Sequence, residues 1–479
     1  MATETTPNES GEVSRRSVLK TSAALGMAVP AAGFLAACAG GGSDDKDGVA
    51  ADNTNAENPF KVDGKKPLEV VVFKGGYGDD YAIAQEALYK AKFPESAIKH
   101  AGITDIRAEI GPRFQSKTPP DVLDNSGAQQ INHADLANNG QYADLTPLLD
   151  APSIDDPAKK VRDTLLGGVV ELGTYNGKFN VLNYGFTLYA IWYSGSLFKE
   201  KGWTEPKTWT EMLALCEKIK AAGIAPWTYT GVHPYYLFDV LFTLAARHGG
   251  NDVVKNIDNL EANAWKHPSI KLALEAMVSL KTKGYILDGS EGLDHRQSQA
   301  RFIKKDAAFI PVGSWLENEE KDLLAADPGF DLKCMIVPAL DGSTNPNAVW
   351  AAPGEGFAVP QDAKNREGGM EYLRIMLSAK GREAFSAKTS SLTVVAGKSE
   401  GMPDTPGVRA VQEALKTTAS AAYPFKFDEW YANASKGIIR PKLGEVMAGR
   451  LSPDEFITIA QKAADDIKAD SSIQKQHRN

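Results

Sequence analysis

Aromatic rings and planar polar side chains recur in this chain beside glycine turns, and that combination defines the chemistry to look for. Trp315, Trp227, Tyr235 and Tyr184 are candidate platforms, each offering a flat apolar face. Asn125, Ser126, Gln130, His233, Glu317 and Glu355 are candidate hydrogen-bonding groups. Gly76 sits in Lys74-Gly75-Gly76-Tyr77-Gly78-Asp79, where missing side chains let a ligand approach the backbone. A carbohydrate ring has hydroxyls at its edge and a flat C–H face, and such a set of groups suits it. Each residue also has a plainer reading. The aromatics can be core, Asn125 to Gln130 can be a turn-and-cap cluster, His233 before Pro234 can stabilise a loop, and Glu317 can occupy the first turn of a helix.

Other chemistries leave weaker traces. Asp79, Asp124, Glu317 and Glu355 could supply the two carboxylates of a glycosidase, roughly 5–10 Å apart across a cleft. None lies in a recognisable catalytic motif, and neither a Ser-His-Asp signature nor HExxH is present. The seven histidines are scattered, without metal-ligand spacing, so no cofactor is expected. Gly75–Asp79 is no phosphate loop, because no Gly-Lys-Ser/Thr follows. An adhesin or sensor remains a third reading, and it would lack a deep pocket.

The element that must position these residues is Val181–Tyr193, VLNYGFTLYAIWY. Its even face is Leu182, Tyr184, Phe186, Leu188, Ala190 and Trp192; the other carries Asn183, Gly185 and Thr187 among aromatics. At roughly 3.3 Å per residue the run is about 43 Å long, far beyond an ordinary strand. It is expected to leave one lobe, cross a hinge near Gly185 and join a second lobe, with a cleft between them. A bent strand within one large sheet is the alternative.

The leader supplies an address. Arg15-Arg16 precedes a weakly apolar run, Ser22 to Ala37, too short to span a bilayer. Leu35-Ala36-Ala37-Cys38 reads as a lipobox, so Cys38 is expected to carry a diacylglyceryl group that moors the chain durably. Residues 39–66 are small and polar and read as a tether. The net charge of −8, with no basic stripe, argues against nucleic acid. Cys216 and Cys334 fall on apolar faces and are expected to be free thiols.

Along the chain, Leu68–Phe73, Ile106–Ile110 and Pro119–Leu123 read as strands, and Asp79 or Asp80 caps a helix after the first. Asp156-Pro157 is expected to open another helix. Further helices are expected from Thr208 or Thr210 to Ala222, over Tyr236–Arg247, Ile270–Lys281, Glu367–Leu377 and Gly381–Ala387, and over most of the chain from Val408. Ala307–Val312 reads as a strand, Gly354–Pro360 as another, and a second crossing is expected at Cys334–Pro338.

Six stretches resemble one known family over the whole mature chain: FKGGYGDDY (73–81), DNSGAQQ (124–130), DAPSIDDPAKKVRD (150–163), YSGSLFKEKGW (193–203), HPYY (233–236) and GSWLENE (313–319). The family is the extracellular sugar-binding lipoproteins of ABC importers, nearest to the N-acetylglucosamine/diacetylchitobiose-binding proteins of Gram-positive bacteria. WTYT (227–230) matches least. The resemblance implies an α/β bilobal type II periplasmic-binding-protein fold, with the ligand cleft between two lobes joined by a hinge. It implies a monomeric receptor rather than an enzyme, binding a sugar and handing it to ABC permease subunits driven by an ATPase. The expected division is leader 1–37, tether 38–66, lobe I 67–184 plus 336–395, lobe II 185–335 plus 396–470, and a tail 471–479.

Overall fold

The computed structural model describes residues 56–397, 401–418 and 421–478. The leader and Cys38 lie outside the described residues. Twelve strands can be assigned among them: β1 Leu68–Phe73, β2 Ile98–Ile103, β3 Val122–Asp124, β4 Thr174–Tyr175, β5 Lys178–Phe179, β6 Leu182–Ser194, β7 Ala225–Trp227, β8 Ala307–Gly313, β9 Leu332–Met335, β10 Val349–Ala358, β11 Leu392–Thr393 and β12 Ala422–Tyr423. The main sheet runs β2-β1-β3-β10-β6-β8-β7, with β9 and β11 on β6 and β12 on β10.

Two strands carry this sheet from one lobe to the other. The first half of β6, Leu182–Leu188, pairs antiparallel with Ala351–Phe357 of β10. Its second half, from Tyr189, pairs with β8 and β9. β10 begins against β12 and ends against β3. The fold is bilobal α/β with a hinge at these crossings. The second crossing is β10 rather than Cys334–Pro338, because Cys334 is held in β9 against Trp192 within the second lobe.

Both faces of β6 are largely buried, and its even face fills two cores. Leu182 and Tyr184 sit in the core of the first lobe, with Val70, Val72, Phe357 and Phe385. Leu188, Ala190 and Trp192 sit in a core of the second, with Ile310, Val312 and Leu332. Trp192 also donates from Nε1 to the Val312 carbonyl, 2.8 Å away, tying β6 to β8. Cys216 and Cys334 are buried in different cores and unbonded. Among the described residues no helix is long and apolar enough to cross a membrane.

Three expectations about local structure need correcting. Ile106–Gln115 is a helix, since Asp105 accepts from the Ala108 amide at 2.9 Å and Ile106, Ile110 and Phe114 recur every four residues on its buried face. The neighbouring strand is Ile98–Ile103, a half-exposed edge strand whose lysine and histidine weaken its apolar signal. Asp156-Pro157 opens only a turn, and the next helical residues are a 3-10 turn at Val161–Thr164, because DDPAKKVRD lacks an apolar stripe to bury. Asp79 stands at a helix start without capping it, and its carboxylate faces Lys74 at 3.1 Å and His100 at 3.5 Å.

Tyr184 is fully buried, and its hydroxyl donates to the Met376 carbonyl at 2.7 Å while accepting from Gln85 Nε2 at 3.1 Å. Tyr184→Phe leaves two buried groups short of a partner, a loss of about 1–2 kcal/mol. The expected readout is a lower urea midpoint at unchanged slope.

Candidate functional site

A cavity of about 310 Å³ lies against the crossing strands. Its floor is the odd face of β6, where Asn183, Thr187 and Tyr189 point away from the cores that hold the even face. Tyr189 stacks on Trp350 with ring centres 4.0 Å apart and planes inclined by 15°. Trp315 stands nearly perpendicular to Tyr189, at 5.6 Å and 88°. The three rings make an aromatic corner facing the cavity.

Seven of the residues singled out from sequence line this cavity: Gly76, Ser126, Gln130, His233, Tyr235, Trp315 and Glu355. Gly76 lies against Trp315, where an added Cβ would come within 3.1 Å of the indole. Asn318 Nδ2 donates to the Gly76 carbonyl at 2.5 Å, and Lys436 Nζ donates to that of Ala128 at 3.4 Å. These contacts join the two walls at the Gly76 and Ala128 loops.

Four others do not line it. Asn125 is a staple: its amide donates to the Ile131 carbonyl at 2.8 Å and to Tyr142 at 2.9 Å, and its Oδ1 accepts from the Ile131 amide at 2.9 Å. It shapes the loop that presents Ser126 and Gln130. The same loop needs Gly127 at φ +83°, where any Cβ would collide with the Phe73 ring. Tyr184 is core, as above. Trp227 is core too, packed on Phe309 and Trp209 at 5.6 and 6.1 Å, and Tyr229 beside it is also buried. Glu317 caps the helix Pro406–Thr418, accepting from the Gly407 amide at 2.9 Å, the Val408 amide at 3.1 Å and Thr405 Oγ1 at 2.6 Å.

Sequence reasoning missed Tyr189, Trp350, Glu319, His295 and the stretch from Pro424 to Glu429 with Arg440. For Tyr189 the signal was present, on the mixed rather than the apolar face of the long strand. Nothing local marks 424–429, which long-range contacts bring to the cavity.

Four charged groups of the cavity wall form two ion pairs. Arg440 Nε donates to Asp428 Oδ1 at 2.7 Å, and its guanidinium lies 4.8 Å over the Tyr235 ring. Lys426 Nζ reaches Glu429 at 2.5 Å, and Tyr175 donates to the same carboxylate at 2.6 Å. His295 lies 3.3 Å from Glu319, whose hydrogen bond raises the imidazole pKa. His233 has no such partner, and burial lowers its pKa. A wall balanced in this way suits a neutral polar ligand. Among Asp79, Asp124, Glu317 and Glu355, only Glu355 lines the cavity, so these four present no facing carboxylate pair.

Glu355 occupies a strained position. Its φ is +54°, a left-handed conformation within β10. Its neighbour Asp124 accepts from Ser126 Oγ and from Tyr81 at 3.2 Å, and Ser126 Oγ in turn accepts from the Gly356 amide at 2.9 Å. Burial raises the pKa of both carboxyls, and the charge of Asp124 raises that of Glu355 further. Because both folded values lie above the unfolded ones, the stability from this pair is complete below about pH 4 and is lost as pH rises through the folded values. Glu355→Gln removes one of the two acids. The thermal midpoint of the variant should therefore fall less between pH 4.5 and 7.5 than that of the wild type.

Comparison with known proteins agrees with this architecture. Residues 105–383 match the family described as bacterial extracellular solute-binding protein. The diacetylchitobiose-binding protein NgcE of Streptomyces coelicolor is 30% identical over 477 residues, covering 97% of this chain and 98% of that protein. A chitin oligosaccharide binding protein of known structure superposes with a TM-score of 0.66 at 19% identity, over 83% of this chain and 98% of that one. The solute receptor AcbH, whose stated preference is β-D-galactopyranose, gives 0.69 at 16% identity, over 86% and 100%. At such identities the two structures speak for the fold alone. The family match and the full-length relative together establish that the chain belongs to the bacterial extracellular solute-binding proteins.

Proposed function

We propose that this protein is the sugar receptor of an ABC importer. It takes an N-acetylglucosamine- or diacetylchitobiose-type ligand into the cavity and delivers it to membrane permease subunits coupled to an ATPase. The observation that carries this reading is the aromatic corner of Trp315, Tyr189 and Trp350 beside a wall of neutralised charges. Flat rings accept the C–H face of a sugar, while Ser126, Gln130, Asn183 and Glu355 are placed to meet its hydroxyls. A volume of 310 Å³ lies at the lower end of ligand pockets, roughly 300–1,000 Å³, and suits a small saccharide. The full-length similarity to a diacetylchitobiose-binding protein supports the choice of sugar.

The leader supports a mooring. In this reading Cys38 carries the lipid, and the polar tether keeps the receptor at the outer face of the membrane.

Calorimetric titration with N-acetylglucosamine, chitobiose, cellobiose and maltose tests the ligand. Heat is expected from the amino sugars, and Trp315→Ala should weaken the best of them by at least about tenfold. No heat from either amino sugar defeats the specific assignment. Chitobiose recovered intact after incubation fits a receptor, whereas cleavage fits the glycosidase alternative. Metabolic labelling with an alkyne fatty acid tests the anchor: Cys38→Ser should lose the label and leave the membrane fraction.

A further inference from the structure

The stretch from Asp470 to Arg478, beyond the long helix Pro453–Ala469, folds back onto the protein. Gln476 accounts for one anchor, its amide donating to the Tyr431 hydroxyl at 3.1 Å. Asn259 grips Arg478 on both sides of its backbone, accepting from its amide and donating to its carbonyl, each at 2.8 Å. The guanidinium is buried, with 6% of the residue exposed; Nη1 donates to the Pro424 carbonyl at 2.8 Å, and Nη2 stands 3.0 Å from Asp258 Oδ2. Gln474 reaches the other way and donates to Asn176, in the turn between β4 and β5.

Asp258 connects this arginine to the cavity. Its other oxygen accepts from the amides of Lys426 and Phe427, at 2.8 and 2.7 Å. These two bonds hold the start of the segment that gives the cavity Pro424, Phe425, Lys426, Asp428 and Glu429. Phe425 in turn meets Trp350 edge-on at 6.1 Å, behind the aromatic corner. A buried carboxylate keeps its charge, and so its strength as an acceptor, only with a cation beside it. Arg478 is the cation whose guanidinium touches it.

We propose that residues 470–478 are a strap, and that Arg478 is a positioning residue for the ligand cavity. It touches no ligand and acts through Asp258, fixing the register of 424–429 and hence the placement of Lys426, Asp428 and Glu429. The effect on sugar affinity rests on the receptor reading above; the effect on the segment does not.

The test uses the full chain with Arg478→Ala and Arg478→Lys, and Tyr431→Phe as a milder cut of the Gln476 anchor should the alanine variant not fold. Hydrogen exchange at the Lys426 and Phe427 amides is measured beside exchange in Leu68–Phe73 as an internal reference, and diacetylchitobiose is titrated at 25 °C. Arg478→Ala should speed exchange at 426–427 by about tenfold or more relative to the reference and weaken diacetylchitobiose by about tenfold. Arg478→Lys should recover most of both, and Tyr431→Phe should shift both in the same direction by less. A residue that serves stability alone would lower the melting temperature while leaving relative exchange and affinity unchanged, and that result overturns the strap. If the wild type takes up no diacetylchitobiose, the sugar assignment fails, and the exchange comparison alone decides the strap.

Discussion

The antiparallel pairing of Leu182–Leu188 with Ala351–Phe357 is the constraint on which the rest of the molecule depends. Both lobes hang from these two strands, and the cavity floor is one face of the same ribbon. Period-two alternation then divides β6 between two tasks as far as Tyr189, beyond which Ile191 and Tyr193 on the odd face join a core as well. Leu182, Tyr184, Leu188 and Trp192 fill cores, so Asn183, Thr187 and Tyr189 are left facing the cavity. A shift of one residue in register would exchange the two sets, driving a tyrosine hydroxyl and an asparagine into apolar cores. Binding surface and hydrophobic core are therefore specified by one pairing, and neither can vary without the other.

Charge is organised around that floor in closed pairs. Arg440 with Asp428 and Lys426 with Glu429 each satisfy a cation with a carboxylate inside the wall, and the His295 imidazole meets the Glu319 carboxylate. Glu355 and Asp124 reach a related end differently, because burial and mutual repulsion favour a protonated carboxyl between them. The cavity thus offers many donors and acceptors and little net field. Such a surface discriminates by the geometry of hydroxyls and rings rather than by ligand charge.

Much of this was legible in the sequence, and the failures share a cause. The long strand, the glycine turn at Gly75-Gly76, the loop at Ser126 and the aromatic at Trp315 were visible because their signals are local: length, turn residues and position at a strand end. Tyr184 and Trp227 misled because an aromatic side chain reads alike in a core and on a binding platform; only the packing of Phe385 or Phe309 against it distinguishes them. Asn125 took the plainer of its two readings, bonding to Ile131 within its own turn, whereas the partner of Glu317, the helix beginning at Pro406, is one that no short motif announces. Ile106–Ile110 misled as a strand because Ile-Arg-Ala-Glu-Ile satisfies both a two-residue and a four-residue period, and the second is the one the helix uses. Trp350 and the 424–429 segment reach the cavity from elsewhere in the chain, and their contribution is a property of topology.

The join between the cavity walls is made of protein touching protein: Asn318 on the Gly76 carbonyl, Lys436 on that of Ala128, and the Trp315 ring over a residue without a side chain. Whatever molecule occupies the space, drawing the two walls apart at these points breaks the same contacts. Trp315 belongs both to this join and to the aromatic corner, so the parting of the walls and the grip on a ligand share a residue.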